Sequence, residues 1–234
     1  MKNATRLQYL EAMGIDVWVP RNSTQAEVLH AVDEKIIRDI DTKPGSVELI
    51  NEKWAVLEKQ VAECKSCGLC DSRTQTVFGS GNINADWMFI GEAPGQNEDL
   101  EGKPFVGQAG KLLTEMIRAI GLSRDSVYIA NILKCRPPNN RDPSLEEINS
   151  CYQFLQQQIA WVKPKIILAV GQVAAQALLK TNEPLSKIRG VCHQLNDIPL
   201  VVVYHPAYLL RSLLEKRQAW QDLQLANNIY KKIK

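Results

Sequence analysis

Three cysteines stand at steps of three in the stretch ECKSCGLC, at Cys64, Cys67 and Cys70. Two thiols three residues apart on a tight turn can chelate one metal, so the stretch holds two overlapping chelates, Cys64/Cys67 and Cys67/Cys70. The local sequence does not choose between them. A second set of chemistry-bearing residues follows short apolar runs further along: Glu92 in GEAPG, Asn131 in YIAN and His205 in YHP. Any one of these has an ordinary structural explanation, and a lone His after a strand is commonly just a hydrogen-bonded framework residue. Three strand ends carrying such groups point to a shared site.

The elements that would position them are legible from periodicity. Four short apolar runs, DWMFIG (86–91), SVYIANIL (126–133), KIILAVG (165–171) and LVVVYH (200–205), alternate with helical patterns at about 107–120, 144–161, 172–180 and 213–233. Ser144 and Glu147 have the spacing of a capping box at the start of the second helix. Near-continuous apolar strands alternating with helices imply a parallel sheet covered on both faces. The expected fold is a three-layer α/β/α sandwich around a four-stranded parallel sheet. Ligands of such sheets bind beyond the carboxyl ends of the strands, where Glu92, Asn131 and His205 fall.

Residues 1–45 read as a separate appendage: an amphipathic turn ending at Gly14, the extended IDVWVP, a second amphipathic stretch, and a Pro-Gly break in DTKPGS. Residues 46–234 form the expected main domain, entered through the helical VELINEKWAVLEKQVAE.

The chain has 234 residues, 45% hydrophobic and 23% charged, with a net charge of +2. These are values of a globular protein with one sizeable core. The charge is too small to demonstrate a nucleic-acid partner and leaves room for a local basic patch. The sequence has no apolar run of membrane-spanning length. MKNATRLQYLEAMG lacks the layout of a secretory signal. Six cysteines without an export signal place the protein in the reducing cytoplasm, where C-x-x-C reads as a metal or redox site. GEAPG lacks the Lys-Ser/Thr of a P-loop and is not G-x-G-x-x-G, which argues against a nucleotide cofactor.

GEAPGQNED, GKPFVGQAGKLL, NILKCRPPNNRDP and HPAYLLR, in this order, resemble the family 4 uracil-DNA glycosylases, the iron–sulfur branch of that superfamily. The resemblance covers residues from about 50 to 234. It implies a DNA-repair hydrolase that flips uracil out of DNA and cleaves its N-glycosidic bond, and a [4Fe–4S] cluster held by Cys64, Cys67, Cys135 and Cys151. Cys70 and Cys192 are then spectators. Spacing alone would equally allow four thiolates on Zn²⁺.

Further residue roles follow from the resemblance. Gly91 and Ala93 belong to the uracil-binding turn, and Phe105 is the aromatic that stacks on the base, though taken alone it reads as core. Asn131 offers one donor and one acceptor, matching uracil O4 and N3–H. Glu98 excludes the methyl group of thymine; the plain alternative is an exposed loop carboxylate. His205 stabilises the departing uracil anion, and Glu92 acts as base or positions water. Leu209 or Leu210 wedges into the gap left by the flipped base. Arg211, Arg136 and Arg141, with Lys134, meet phosphates on the rim. The partner is uracil-containing DNA, single- or double-stranded, and the protein is expected to be a monomer.

The leading segment, through Leu10, Gly14, Ile15, Trp18 and Arg21, resembles the N-terminal peptide of the clamp-loader psi subunit. That leaves two readings for residues 1–21: a replisome-docking peptide, or a helix packed on the main domain. A non-enzymatic iron–sulfur or zinc protein that binds nucleic acid is the competing reading of the whole, and a crevice lined by Glu92, Asn131 and His205 counts against it.

Overall fold

The computed structural model describes Met13 and residues 44–234. Its centre is a six-stranded sheet. The strands are β1 (Ser80–Gly81), β2 (Trp87–Gly91), β3 (Tyr128–Asn131), β4 (Ile166–Val170), β5 (Cys192–Leu195) and β6 (Ile198–Val203), in the spatial order β1-β3-β2-β4-β6-β5. The helices are α1 (Pro44–Ala62), α2 (Gln96–Glu101), α3 (Gln108–Ala119), α4 (Leu145–Val162), α5 (Gln172–Leu179), α6 (Leu185–Ile188), α7 (Pro206–Arg211) and α8 (Lys216–Ile233).

The four expected strands form the parallel centre, β3-β2-β4-β6. The sheet is nonetheless mixed, with six strands rather than four, because β1 and β5 add antiparallel edges. Both edges lack the apolar run that marks a buried strand. β1 is only Ser-Gly, and β5 alternates between exposed and half-buried residues. Asn196 and Asp197, with φ of 48° and 66°, close the β5–β6 hairpin as a two-residue turn. Asn and Asp tolerate this left-handed backbone better than most residues, and such turns match the twist of the strands.

Alternate residues of the central strands serve two cores. Phe89, Ile129, Leu168 and Val201 pack with Leu113, Met116 and Ile117 of α3 and Leu223 of α8. Ile90, Ala130, Ile167 and Val202 pack with Leu155 and Ile159 of α4 and Leu178 of α5. Helices therefore cover both faces. The capping box of α4 forms as expected, with Ser144 accepting from the Glu147 N–H while the Glu147 carboxylate accepts from the Ser144 N–H.

Of the leading segment, Met13 is described: it is 2% exposed and belongs to the core of α3 and α8. The docking motif expected in residues 1–21 otherwise lies outside the described residues. No helix among the described residues is long and apolar enough to cross a membrane.

Candidate active site

A cleft of about 420 Å³ opens at the carboxyl ends of the parallel strands, and Glu92, Ala93, Glu98, Phe105, Asn131, Arg141, His205 and Arg211 all line it. The topology explains the convergence. Gly91 ends β2 beside its register partner Asn131, which ends β3, while His205 lies two residues beyond β6 and caps α7.

Asn131 is 2% exposed. Its backbone carbonyl accepts from Lys134 Nζ at 2.9 Å, which fixes the residue, while its side-chain Oδ1 is buried with no hydrogen-bond partner among the described residues. A buried amide oxygen left unpaired costs on the order of 1–3 kcal/mol, and this one belongs to a residue that lines the cleft. Lys134 was expected on the DNA-facing rim. It is instead 1% exposed, with Nζ held by Gln158 Oε1 at 2.6 Å as well as by Asn131, and burial pushes its ammonium down to about 8. A KCR run reads as basic surface in sequence, and only the position of Gln158 reveals the inward turn.

Phe105 forms another wall. Its backbone is left-handed (φ 53°), uncommon for a non-glycine residue, and the loop is pinned on both sides. Arg124 Nη2 donates to the Pro104 carbonyl at 2.5 Å, and Glu98 Oε1 accepts the N–H groups of Val106 and Gly107 at 2.9 and 3.0 Å. Glu98 is thus no free loop carboxylate: it clamps the Phe105 loop from within the cleft. At Gly110, on the first turn of α3, an added Cβ would collide with the Phe105 carbonyl, so glycine is needed there for the loop to seat. Nothing in sequence marked Arg124, which reaches in from a turn after α3.

His205 lies with its ring centroid 5.7 Å from that of Phe105. Nδ1 accepts the Ala207 N–H at 3.2 Å, so the neutral ring carries its proton on Nε2. Burial, assisted by the nearby Arg211 charge, lowers its pKa to about 4. The imidazole is therefore a neutral donor throughout the physiological range. Gly171, with φ of 95°, admits it: a Cβ there would stand 2.9 Å from His205 Cβ.

Glu92 is half-buried, and desolvation together with the like charge of Asp142 raises its pKa to about 7. Asp142 also lines the cleft; sequence reasoning passed over it although it stands inside NNRDP.

The rim differs from expectation at Leu209, which is 1% exposed and packed in the core, so it does not reach DNA. Leu210 is 44% exposed. On the short helix α7 the buried residues, Pro206 and Leu209, are three apart, and two adjacent leucines do not reveal which faces the solvent. Arg211 is exposed. Arg141 lies on the cleft but grips Glu147 with two nitrogens, at 2.6 and 2.9 Å. Arg136 donates to Asn140 Oδ1 at 2.7 Å on the same loop.

Behind this rim Cys64, Cys67, Cys135 and Cys151 line one small cavity together with Arg73 and Lys134. Cys70 does not line it and turns its thiol to Asp71, while Cys192 is exposed on the edge strand β5. Arg73 Nη1 donates to Cys135 Sγ at 3.0 Å and the Lys134 N–H to Cys151 Sγ at 3.2 Å. Burial raises both thiols, Cys151 to about 11, so these two would ionise only with a metal to receive them. Among the described residues, no three His, Cys, Asp or Glu side chains gather tightly enough for a single metal ion. Four thiols line one cavity, and Arg73 Nη1 and the Lys134 N–H donate to two of them, a donor set of the kind that holds an iron–sulfur cluster. The residues fit a [4Fe–4S] cluster.

The model of the uracil DNA glycosylase superfamily matches residues 78–224, more than half of the chain. The chain belongs to that superfamily. The chain is similar to the type-4 uracil-DNA glycosylase of Thermotoga maritima, 39% identical over 185 residues that cover 77% of this chain and 96% of the relative. It is also similar to those of Sulfurisphaera tokodaii, at 45% over 68% of this chain and 79% of the relative, and Archaeoglobus fulgidus, at 42% over 65% and 80%. The chain is accordingly a uracil-DNA glycosylase, a DNA-repair hydrolase of N-glycosyl bonds.

Proposed function

We propose that this glycosylase reads uracil with Asn131, stacks it on Phe105 and expels it against His205. The orphaned Oδ1 of Asn131 carries the reading. The uracil N3–H supplies the donor this oxygen lacks, and the amide N–H₂ donates to O4. Cytosine presents the opposite polarity on that edge and would leave buried groups unpaired. Glu98, held by two backbone N–H groups in the cleft wall, stands as the block to the thymine methyl.

During cleavage the bond from the sugar C1′ to uracil N1 breaks and its electron pair leaves with the base. Nε2–H of His205 donates to O2 of that anion. A preorganised donor of this type is worth roughly 3–4 kcal/mol. The oxygen of water, oriented by Glu92, then bonds to C1′ and sheds one proton, which reaches the uracil anion through solvent; the products are free uracil and an abasic sugar. Arg211 on the cleft and Leu210 beside it contact phosphate and the vacated stack, with Arg136 and Arg141 on the neighbouring loop.

Cys64, Cys67, Cys135 and Cys151 would hold the [4Fe–4S] cluster, whose contribution is to cross-link the loops behind the cleft. Residues 1–21 are proposed as a segment packed on the main domain, supported by Met13 in the α3–α8 core; the pattern Leu10, Gly14, Ile15, Trp18 and Arg21 supports docking to a clamp-loader subunit as the second reading. A pull-down comparing the full chain with one starting at Ser46 tests this contact.

An end-labelled oligonucleotide with a single deoxyuridine, followed by alkali, tests the activity. Scission at uracil and none at a thymine control is the expected result, with Asn131→Asp and His205→Ala each losing at least about 100-fold. No scission of single- or double-stranded substrate by iron-replete protein overturns the reading and favours a nucleic-acid-binding role.

A further inference from the structure

His205 borders a second cleft as well as the first. This neighbour, of about 370 Å³, runs past His205 and Gly171 to a wall made by Tyr204, Tyr208, Pro184 and Leu185. Tyr204 and Tyr208 are stacked, ring centroids 5.2 Å apart and 22° from parallel. One ring of the pair is held by a fixed cation. Arg189 lies 5.1 Å over the Tyr204 ring, and its guanidinium is fixed by both oxygens of the buried Asp222 and by Gln218. Tyr208 lines this cleft and stays 38% exposed, although α7 has core on its other side to receive an apolar residue, as Leu209 shows.

We propose that this ledge is a subsite for the nucleobase next to the flipped uracil, which stacks on the Tyr204–Tyr208 pair. The inference rests on the proposed uracil cleft and extends it. The flipped nucleotide is covalently joined to a neighbour on either side, so the strand must leave the first cleft along its walls. His205 is the wall that the two clefts share. An aromatic face without polar selection accepts any base, because every base presents a π-face. A base still paired in a duplex is not free to lie there. The ledge therefore favours single-stranded or locally opened DNA, and it does so without reading sequence.

The test uses the full chain, with Tyr208→Ala and Tyr208→Phe, on single-stranded oligonucleotides containing one deoxyuridine. The nucleotide on each side in turn carries adenine or no base. For the wild type, loss of the base on one side should lower kcat/KM by on the order of 10-fold, chiefly through KM. Tyr208→Ala should lose a similar factor on the intact substrate and nothing further on the base-free one, while Tyr208→Phe keeps the wild-type behaviour. Losses that multiply, or a wild type indifferent to both flanking bases, overturn the ledge while leaving uracil excision standing. A second readout is independent of cleavage: quenching of 2-aminopurine in a uracil-free single strand should weaken in Tyr208→Ala. Quenching that depends on Tyr208 in a protein that does not excise uracil would keep the ledge and discard the glycosylase reading. Equal quenching by wild type and Tyr208→Ala counts against the ledge.

Discussion

Gly91 and Asn131 are partners across neighbouring parallel strands, and they stand so close that no side chain fits between them. A Cβ on Gly91 would lie 2.5 Å from Asn131 Oδ1 and 2.5 Å from Phe105 Cζ. The amide proposed to read the base and the ring proposed to stack on it thus converge over one residue without a side chain. Gly91→Ala is expected to displace both. Misplacing a binding group by about 1 Å can cost 100-fold, so kcat/KM for uracil should fall at least that far. Steady-state kinetics beside a melting curve make the check: a loss of activity with little change in Tm locates the effect in the cleft.

The pH profile follows from two groups displaced in opposite directions. Glu92 is raised to about 7 by desolvation and by Asp142, and His205 is lowered to about 4. If ionised Glu92 orients the water, kcat/KM should climb through an inflection near pH 7. No acidic limb from His205 should appear above about pH 5, since the ring is already neutral. Asp142→Asn removes the like charge and should move the inflection to lower pH. Stability runs the other way. A carboxyl whose folded pKa lies above its unfolded value favours folding at low pH and loses that contribution as pH rises through about 7. Glu92→Gln should therefore raise the unfolding free energy above pH 7 by on the order of 2 kcal/mol, and Tm with it, while lowering activity. An unchanged Tm at pH 8 would count against the desolvation argument.

Much of this was legible before any coordinates. The four parallel strands and the helices between them follow from apolar runs alternating with 3.6-residue periodicity, because a sheet buried on both faces leaves that pattern and little else does. The strand-end residues Glu92, Asn131 and His205 were readable for the same reason, since the topology sends strand ends to one crevice. The edges β1 and β5 left no comparable trace: a strand with one solvated side and two to four residues carries too little apolar content. Side-chain direction was the other gap. Lys134 and Leu209 sit in runs that look like surface, and the partners that turn them inward are distant in sequence: Gln158 for Lys134 and the α3–α8 core for Leu209.

The cysteines separate by position relative to the cavity. Serine at Cys64, Cys67, Cys135 or Cys151 should each lower iron per protein and the iron–sulfur absorption, whereas Cys70→Ser and Cys192→Ser should keep both at wild-type values. Metal analysis with visible spectroscopy of the six purified variants makes the comparison. Loss of iron in Cys70→Ser with retention in Cys64→Ser would select the other overlapping chelate. Retention of zinc rather than iron in the wild type would replace the cluster by a single ion.

Adjacent leucines on α7 should behave as opposites. Leu209 is buried against Met116, Leu223 and Met13, so Leu209→Ala opens a cavity and should destabilise the fold by about 2–5 kcal/mol. That loss is visible in a denaturant midpoint whether or not DNA is present. Leu210 points outward beside the cleft, and truncating an exposed side chain changes stability by no more than about 0.5 kcal/mol. Its proposed role is to hold open the gap that uracil leaves, a gap that exists only where bases are stacked on both sides. Leu210→Ala should consequently reduce excision from duplex DNA more than from a single strand, with Tm unchanged. Equal losses on the two substrates would assign Leu210 to general strand contact rather than to wedging, since a wedge has no work to do in DNA that is already unstacked.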